Sequence, residues 1–536
     1  MGAISKCMRV AAIVAGSLFA IAAFAAPPEG FDARVAEAMR QHEVPGMAIA
    51  IVEDGRVVHA KGYGVRRLGS PEVVDADTIF PTGSTGKAIT AAALAVLVDD
   101  GKLDWDDKVI DHLPEFRMHD PWVTREMTVR DLLVHRSGLG LGAGDLLYVP
   151  RTSRNRRDVV RALRHIAPAT SFRSGYAYDN ILYVVAGELA EAVSGQRWED
   201  FVRDRVFAPA GMRSSVSDEQ DRFANPNRAQ PHARLGGRVR GLGTQQVLPE
   251  REGLGQVAAP AGGLSSSAND MARWLQVQLA QGALPGGDGK RVYSEAAARE
   301  MWTPQVPLPI RPFPAPIADI TPQFSNYALG WNVQDYRGVK VVQHGGAVFG
   351  VLAFVVMVPE RGFGMALQIN SEDVVVLRGL MYEVLDDYLG LPPRDWVAAF
   401  DEWNRQRLAQ GVAALDAVGG QRGKASRPSL PAAAYAGTYA DAWYGPIAIA
   451  VQSGKLRIDF RQTPGMAGTL THWQYDTFRA DWDDASIEPA YVSFALDAEG
   501  KVARITMKAV SPLADFSYDY HDLLFTPMAT DASGQD

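Results

Sequence analysis

The sequence predicts an α/β domain followed by a small all-β domain. Two observations carry this. Apolar, β-rich segments stand at residues 47–52 and again at 339–343, 351–358 and 363–369, with mostly helical patterns between them. One antiparallel sheet is therefore expected to take its strands from both ends of a long segment. Helices flank it, and a mainly helical subdomain forms from the middle. Beyond about residue 430 the period changes to short strands separated by turn residues, at 447–451, 455–460, 468–473, 477–480, 491–496 and 502–508. That spacing argues a small antiparallel barrel or sandwich.

Taken in order, residues 47–52, an Asp54-Gly55 turn and residues 57–60 read as a β-hairpin. Residues 88–98 read as a helix stopped by Gly101. Residues 128–135 have helical spacing, and His135 reads as a helix C-terminal residue favoured by the dipole. Residues 158–213 stay mostly helical, including 181–193. Residues 232–258, rich in Gly and Arg, and 304–323, rich in Pro, read as long loops. Residues 268–281 form an amphipathic helix and 372–389 a closing one. Residues 411–430, with Gly, Ala, Lys, Ser and Pro, read as a linker. The expected organisation is a leader over 1–25, an α/β domain over 27–395, a helix and linker over 396–430, a barrel over 431–528 and a disordered tail over 529–536.

Composition narrows the classes. The 536 residues are 47% hydrophobic and 22% charged, an ordinary globular balance. A net charge of −8 gives no reason to expect nucleic acid or an anionic membrane as partner. Lys6 and Arg9, the apolar run 10–24 and Ala23-Phe24-Ala25 read as a secretory signal whose cleavage leaves no membrane span, with an uncleaved anchor as the alternative. Cys7 is the single cysteine, so the processed chain would hold neither disulfide nor thiolate site. The histidines include no H-E-x-x-H pair and no nucleotide loop is visible, so no metal and no cofactor is expected.

Three motifs carry chemistry. In Ser84-Thr85-Gly86-Lys87, Ser84 falls at a helix start and Lys87 one turn later on the same face. A serine nucleophile whose proton a lysine accepts needs that geometry. The plainer reading of Ser84 is an N-cap. In Tyr178-Asp179-Asn180, a tyrosine near a lysine that titrates low enough is a base and then an acid, and Asn180 can orient a substrate amide. The plainer reading is an aromatic turn before the helix at Ile181. In His344-Gly345-Gly346-Ala347, glycines at a strand end let a substrate backbone approach as an added strand. The Ala347 N–H, with that of Ser84, is placed to form an oxyanion hole. The plainer reading is a glycine turn.

In this order, S-x-x-K, Y-x-N and H-x-G resemble the signature of the serine β-lactamase-related hydrolases of the class C type. That family includes D-alanyl-D-alanine carboxypeptidases, D-aminopeptidases and related esterases. Leu133 to Leu139, Ala261-Gly262-Gly263-Leu264-Ser265-Ser266 and Tyr327-Ala328-Leu329-Gly330-Trp331 are similar to further family segments, and the likeness covers roughly 30–395. It implies a β-lactamase/transpeptidase-like fold, Ser84 as nucleophile, Lys87 and Tyr178 as proton-transfer pair, and Asn180, His344, Gly345 and Gly346 against substrate. Ser267-Ala268-Asn269, a rival second motif, reads instead as a helix cap. Two positions depart from the family pattern. His344 stands where true β-lactamases have lysine, and Asp179 stands where the family has a small residue.

The expected activity is an exported serine hydrolase cutting peptides, including those with D-residues, or esters. β-Lactam hydrolysis and D-alanyl-D-alanine carboxypeptidase activity are the alternatives, and an idle binding or scaffold protein of the same fold is the rival from another class. Residues 432–527 resemble the lipocalin-like domain attached to such hydrolases, a possible seat of oligomerisation. No motif lies beyond residue 430, so the chemistry is expected not to need that domain.

Overall fold

Residues 47–52 are apolar at every position because the strand they form is covered on both faces. In the computed structural model, which describes residues 27–250, 254–286, 288–423 and 425–528, this strand lies inside an eight-stranded sheet. Its members are β1 (Gly46–Glu53), β2 (Arg56–Gly64), β3 (Val306–Pro307), β4 (Ser325–Tyr327), β5 (Asn332–Tyr336), β6 (Val339–Val348), β7 (Val351–Val358) and β8 (Phe363–Ile369). The order is β2-β1-β8-β7-β6-β5-β4-β3 and every pairing is antiparallel. β1 meets β8 with Ile49 opposite Leu367, so the two ends of the domain do close one sheet.

The helices that frame the site are α1 (Phe31–Gln41), α2 (Lys87–Asp99), α3 (Ile181–Ser194), α4 (Ala268–Leu279), α5 (Val374–Tyr388) and α6 (Trp396–Gly420). Strand alternation splits the core in two. Ala48, Ala50 and Val52 face the cluster that holds Leu94, Val184 and Leu275 of α2, α3 and α4. Met47, Ile49 and Ile51 face Val35, Leu380, Met381 and Trp396 of α1, α5 and α6.

The second domain is a closed barrel of eight antiparallel strands: β9 (Gly437–Asp441), β10 (Gly445–Gln452), β11 (Lys455–Asp459), β12 (Ala467–Gln474), β13 (Thr477–Trp482), β14 (Ala490–Leu496), β15 (Val502–Ala509) and β16 (Leu524–Pro527). The first and last of these pair, Tyr439 opposite Pro527, and neither is among the strands the sequence predicts. Tyr439, Trp443 and Trp482 are core, while Trp473 lies under the Arg422 guanidinium, 4.4 Å from its ring centre.

Two expectations are corrected. The Gly/Arg-rich stretch is not all loop: His232–Gly236 and Gly243–Val247 pair as a hairpin. Its glycines permit close strand contact, since a Cβ on Gly243 (φ +103°) would lie 2.1 Å from the Leu235 carbonyl oxygen. The linker is also shorter than composition suggested, because α6 runs on to Gly420. Alanine favours helix there, and Gly411 is no breaker but a contact point, with its absent Cβ 2.5 Å from Leu513 of the barrel. The predicted leader and the tail over 529–536 lie outside the described residues. Among the described residues no helix is long and apolar enough to cross a membrane.

Candidate active site

Ser84 is not a helix cap. It sits in a 3-10 turn, Gly83–Gly86, that leads straight into α2, and no side chain caps either element. Its hydroxyl is left for Lys87, whose Nζ is 2.9 Å from Ser84 Oγ. Nζ also reaches Asn180 Oδ1 at 2.6 Å and the Ala261 carbonyl at 2.8 Å. A neutral amine has two hydrogens and one lone pair. With both hydrogens on those two acceptors, the lone pair is aimed at the serine hydroxyl.

Lys87 is fully buried, and its Nζ lies 4.8 Å from the Tyr178 ring centre and 5.1 Å from that of Tyr183. Burial pushes its pKa down from 10.5 to about 7, with Asp145 and Asp179 opposing the shift. Tyr178 goes the other way. Burial holds its phenol well above 10, only partly offset by a hydrogen bond with Ser84. A Tyr178 that titrates low does not fit this setting: burial favours the protonated phenol and the neutral Lys87 amine.

Close backbone approach joins the nucleophile turn to β6. A Cβ on Gly346 would lie 2.1 Å from the Thr82 carbonyl oxygen and 3.0 Å from the Ser84 nitrogen. Gly83 (φ +53°) would place one 2.5 Å from the Ala347 nitrogen. Ser84 and Ala347 line one cavity of about 410 Å³, together with Asn180, Phe349, Leu352 and Ser517. The β5 ladder stops at Gln343, so residues 344–348 keep an edge free of β5 for an extended substrate. Gly346→Ala is expected to cost about 1–3 kcal/mol by overpacking and to lower turnover as the turn separates from β6. Urea unfolding and steady-state rates check this, and an unchanged rate in the folded variant would count against the close packing.

His344 is a second correction. Its ring is buried, with Nδ1 donating to the Gly345 carbonyl at 2.6 Å and Nε2 accepting from the Tyr327 hydroxyl at 2.8 Å. Burial and the nearby Lys87 push its pKa to about 3. It is a neutral brace between β6 and β4, not a side chain that meets substrate or holds a carboxylate. Tyr327 comes this close because Gly330 (φ +78°) lets the segment abut α2, where a Cβ on Gly330 would lie 3.0 Å from the Ala88 backbone.

Asn180, read as a substrate contact, lines the cavity while its amide is held from both sides, Nδ2 donating to Asp145 Oδ2 at 2.8 Å. His135 is a third correction. It has positive φ (58°) and packs buried against Tyr176, Tyr178, Tyr183 and Tyr327. Its Nδ1 accepts from the Asp179 N–H at 3.2 Å and burial lowers its pKa, so it is no dipole-stabilised cation. Asp179 accepts from Ser137 Oγ at 3.1 Å. Ser267 caps α4, accepting from the Asp270 N–H at 3.3 Å. Asp145 and Ser517 were missed, and no motif marks either.

A lysine-paired serine on a turn packed against an antiparallel sheet defines a hydrolase site of the β-lactamase/transpeptidase type. The Beta-lactamase family matches residues 31–387, and the chain belongs to that family; a domain of unknown function (DUF3471) matches 421–527. The chain is similar to the unguisins hydrolase ungD of Aspergillus violaceofuscus, 30% identical over 490 residues, covering 84% of this chain and 82% of that protein. It is 33% identical over 351 residues to penicillin-binding protein 4 of Amycolatopsis lactamdurans, covering 64% of this chain and 84% of that one. Among solved structures it resembles an octameric penicillin-binding protein homologue from Pyrococcus abyssi, with TM-score 0.58 and 21% identity over 93% of this chain and 99% of the other.

Proposed function

We propose that this protein is an exported serine hydrolase working through an acyl-enzyme at Ser84 on the amide or ester bonds of peptides and small esters. The observation that carries it is the Lys87 amine, 2.9 Å from Ser84 Oγ and beside two further acceptors, Asn180 Oδ1 and the Ala261 carbonyl, that take its two hydrogens in the neutral form. Lys87 takes the Ser84 proton as Oγ bonds to the substrate carbonyl carbon. The N–H groups of Ser84 and Ala347 hold the oxyanion. The protonated Tyr178 hands its proton to the leaving group and is reprotonated from Lys87. Water then attacks the acyl-enzyme by the reverse relay, releasing the acid and restoring Ser84.

The relative named a hydrolase supports the reaction class. The inward, neutral His344 supports peptides and esters over β-lactams, because the side chain at that position offers no charge to a carboxylate. Lys6, Arg9 and the apolar run after them support export. The octameric state of the solved relative supports assembly of several copies, with the barrel as the candidate interface.

A fluorophosphonate probe is expected to modify Ser84, read by peptide mapping. Turnover should rank D-amino-acid amides and p-nitrophenyl esters above a chromogenic cephalosporin. Labelling at another serine, or none, would sink the mechanism. Because Lys87 must be neutral to accept a proton, kcat/KM is expected to fall as pH drops through about 7. Tyr178→Phe should lose about 10²–10⁴ in kcat. Combining it with Lys87→Ala should cost less than the sum of the two, since residues acting as one unit are non-additive.

A further inference from the structure

Asp145 is a fully buried carboxylate behind the lysine, and its partners come from both domains. Oδ1 accepts from the Tyr148 hydroxyl at 2.6 Å. Oδ2 accepts from Asn180 Nδ2 at 2.8 Å and from Ser517 Oγ at 2.8 Å. Ser517 belongs to the barrel, on the loop between β15 and β16. Two residues on, Asp519 accepts from the Gly144 N–H at 2.7 Å and the Leu146 N–H at 3.0 Å, clamping the backbone that carries Asp145. Just before Ser517, Phe516 packs edge-on to the Tyr178 ring, centroids 5.7 Å apart. A hydrogen-bonded chain thus runs Ser517–Asp145–Asn180–Lys87–Ser84. The expectation that the chemistry does not need the barrel does not fit this geometry.

We propose that Asp145 is a positioning residue for Lys87, acting through Asn180, and that Ser517 of the barrel holds it in place, so the catalytic site is completed by the second domain. This rests on the reading of Lys87 as proton acceptor. A carboxylate only accepts hydrogen bonds, so it turns the NH2 end of Asn180 towards itself and the carbonyl end towards Lys87. Without that anchor the amide is free to flip and set donors against the amine, and the lone pair loses its direction.

Charge acts alongside geometry. Lys87, Asp179 and Asp519 are the ionisable neighbours in the same buried region, with His135 and His344 facing Lys87 and with Tyr148, Asn180 and Ser517 as neutral donors. Burial raises Asp145 to about 7, with Tyr148, Asn180 and Ser517 opposing, and it raises Asp519 strongly. Asp145 in turn favours the ammonium form of Lys87. Removing the Ser517 donor makes Asp145 easier to protonate and weakens its field at Lys87. The lysine then loses its proton at lower pH.

The test uses full-length Asp145→Asn, Ser517→Ala and Ser517→Thr, with fluorophosphonate labelling rates and p-nitrophenyl ester kinetics from pH 5 to 9 and melting curves at each pH. Asp145→Asn is expected to lower kcat by about tenfold or more, and Ser517→Ala by less. Both should move the acid limb to lower pH with little change in KM, and Ser517→Thr, which keeps the hydroxyl, should return it. If Ser517→Ala does not fold, Tyr148→Phe removes the donor on the other oxygen and should move the limb the same way. A folded Asp145→Asn whose limb stays with the wild type overturns the proposal, as does a Ser517→Ala that only melts earlier. Absence of any limb near pH 7 in the wild type would instead reject Lys87 as base, a separate failure.

Discussion

Ser84→Ala is expected to abolish turnover, with a loss of at least about 10⁴-fold, while costing little stability. The nucleophile has no substitute: the Lys87 amine is enclosed by Ser84, Asn180 and Ala261. A side chain that caps a helix costs about 1 kcal/mol when removed, but the Ser84 hydroxyl caps nothing. What the variant loses is the hydrogen bonding with Lys87 and Tyr178, so the loss of stability should be about 1 kcal/mol. Urea unfolding beside ester and amide rates decides it. Retained turnover on any substrate the wild type cuts would end the assignment of Ser84.

Lys87→Met should give the second large effect, and it has two readouts. Activity should drop by about 10²–10⁴ as the proton acceptor disappears. Stability should change its pH dependence. In the unfolded chain the lysine titrates near 10.5, in the folded one near 7, which sets about 5 kcal/mol against the charged form. The folded state holds fewer protons than the unfolded state between these values, so this group makes wild-type stability rise with pH from about 7 towards 10. Below 7 the whole penalty is present. Methionine keeps the buried length and has no such term. Relative to the variant, the wild type should therefore gain a few kcal/mol between pH 7 and 10. A difference between the two that is flat with pH would show that Lys87 is not displaced from its solution value.

Much of this site was legible in the chain, because its parts are local. Ser84 and Lys87 are one turn apart, and any helix begun there brings them together. The sheet was legible because β1, β7 and β8 are buried on both faces and so are apolar at nearly every position, Glu53 and Gln368 apart. What stayed hidden depends on distant partners. Nothing local to His344 shows that Tyr327 and Gly345 consume its nitrogens. The signal of a helix end at His135 was genuine, but burial among four tyrosine rings disfavours a charge there. The Gly/Arg stretch misled because a glycine in a loop and a glycine where two strands nearly touch look alike in sequence. Asp145 and Ser517, separated by most of the chain, carry no pattern at all.

The pairing of β1 with β8 has a consequence for how the molecule comes into being. Met47 to Glu53 must wait for residues 363–369 before its second edge is satisfied, a separation of about three hundred residues. Closing so long a loop adds only modestly to the equilibrium cost, since that cost grows with the logarithm of length. It weighs on the rate instead, because distant pairings slow folding and leave apolar edges bare in the interval. The hairpin of β1 and β2 can form early, yet its open edge is a wholly apolar ladder that any other strand could join. A nascent chain stays in that state until the last sheet strand is made. Late closure keeps the polypeptide threadable, and the Ser84 turn meets its β6 partner only once that strand has been made.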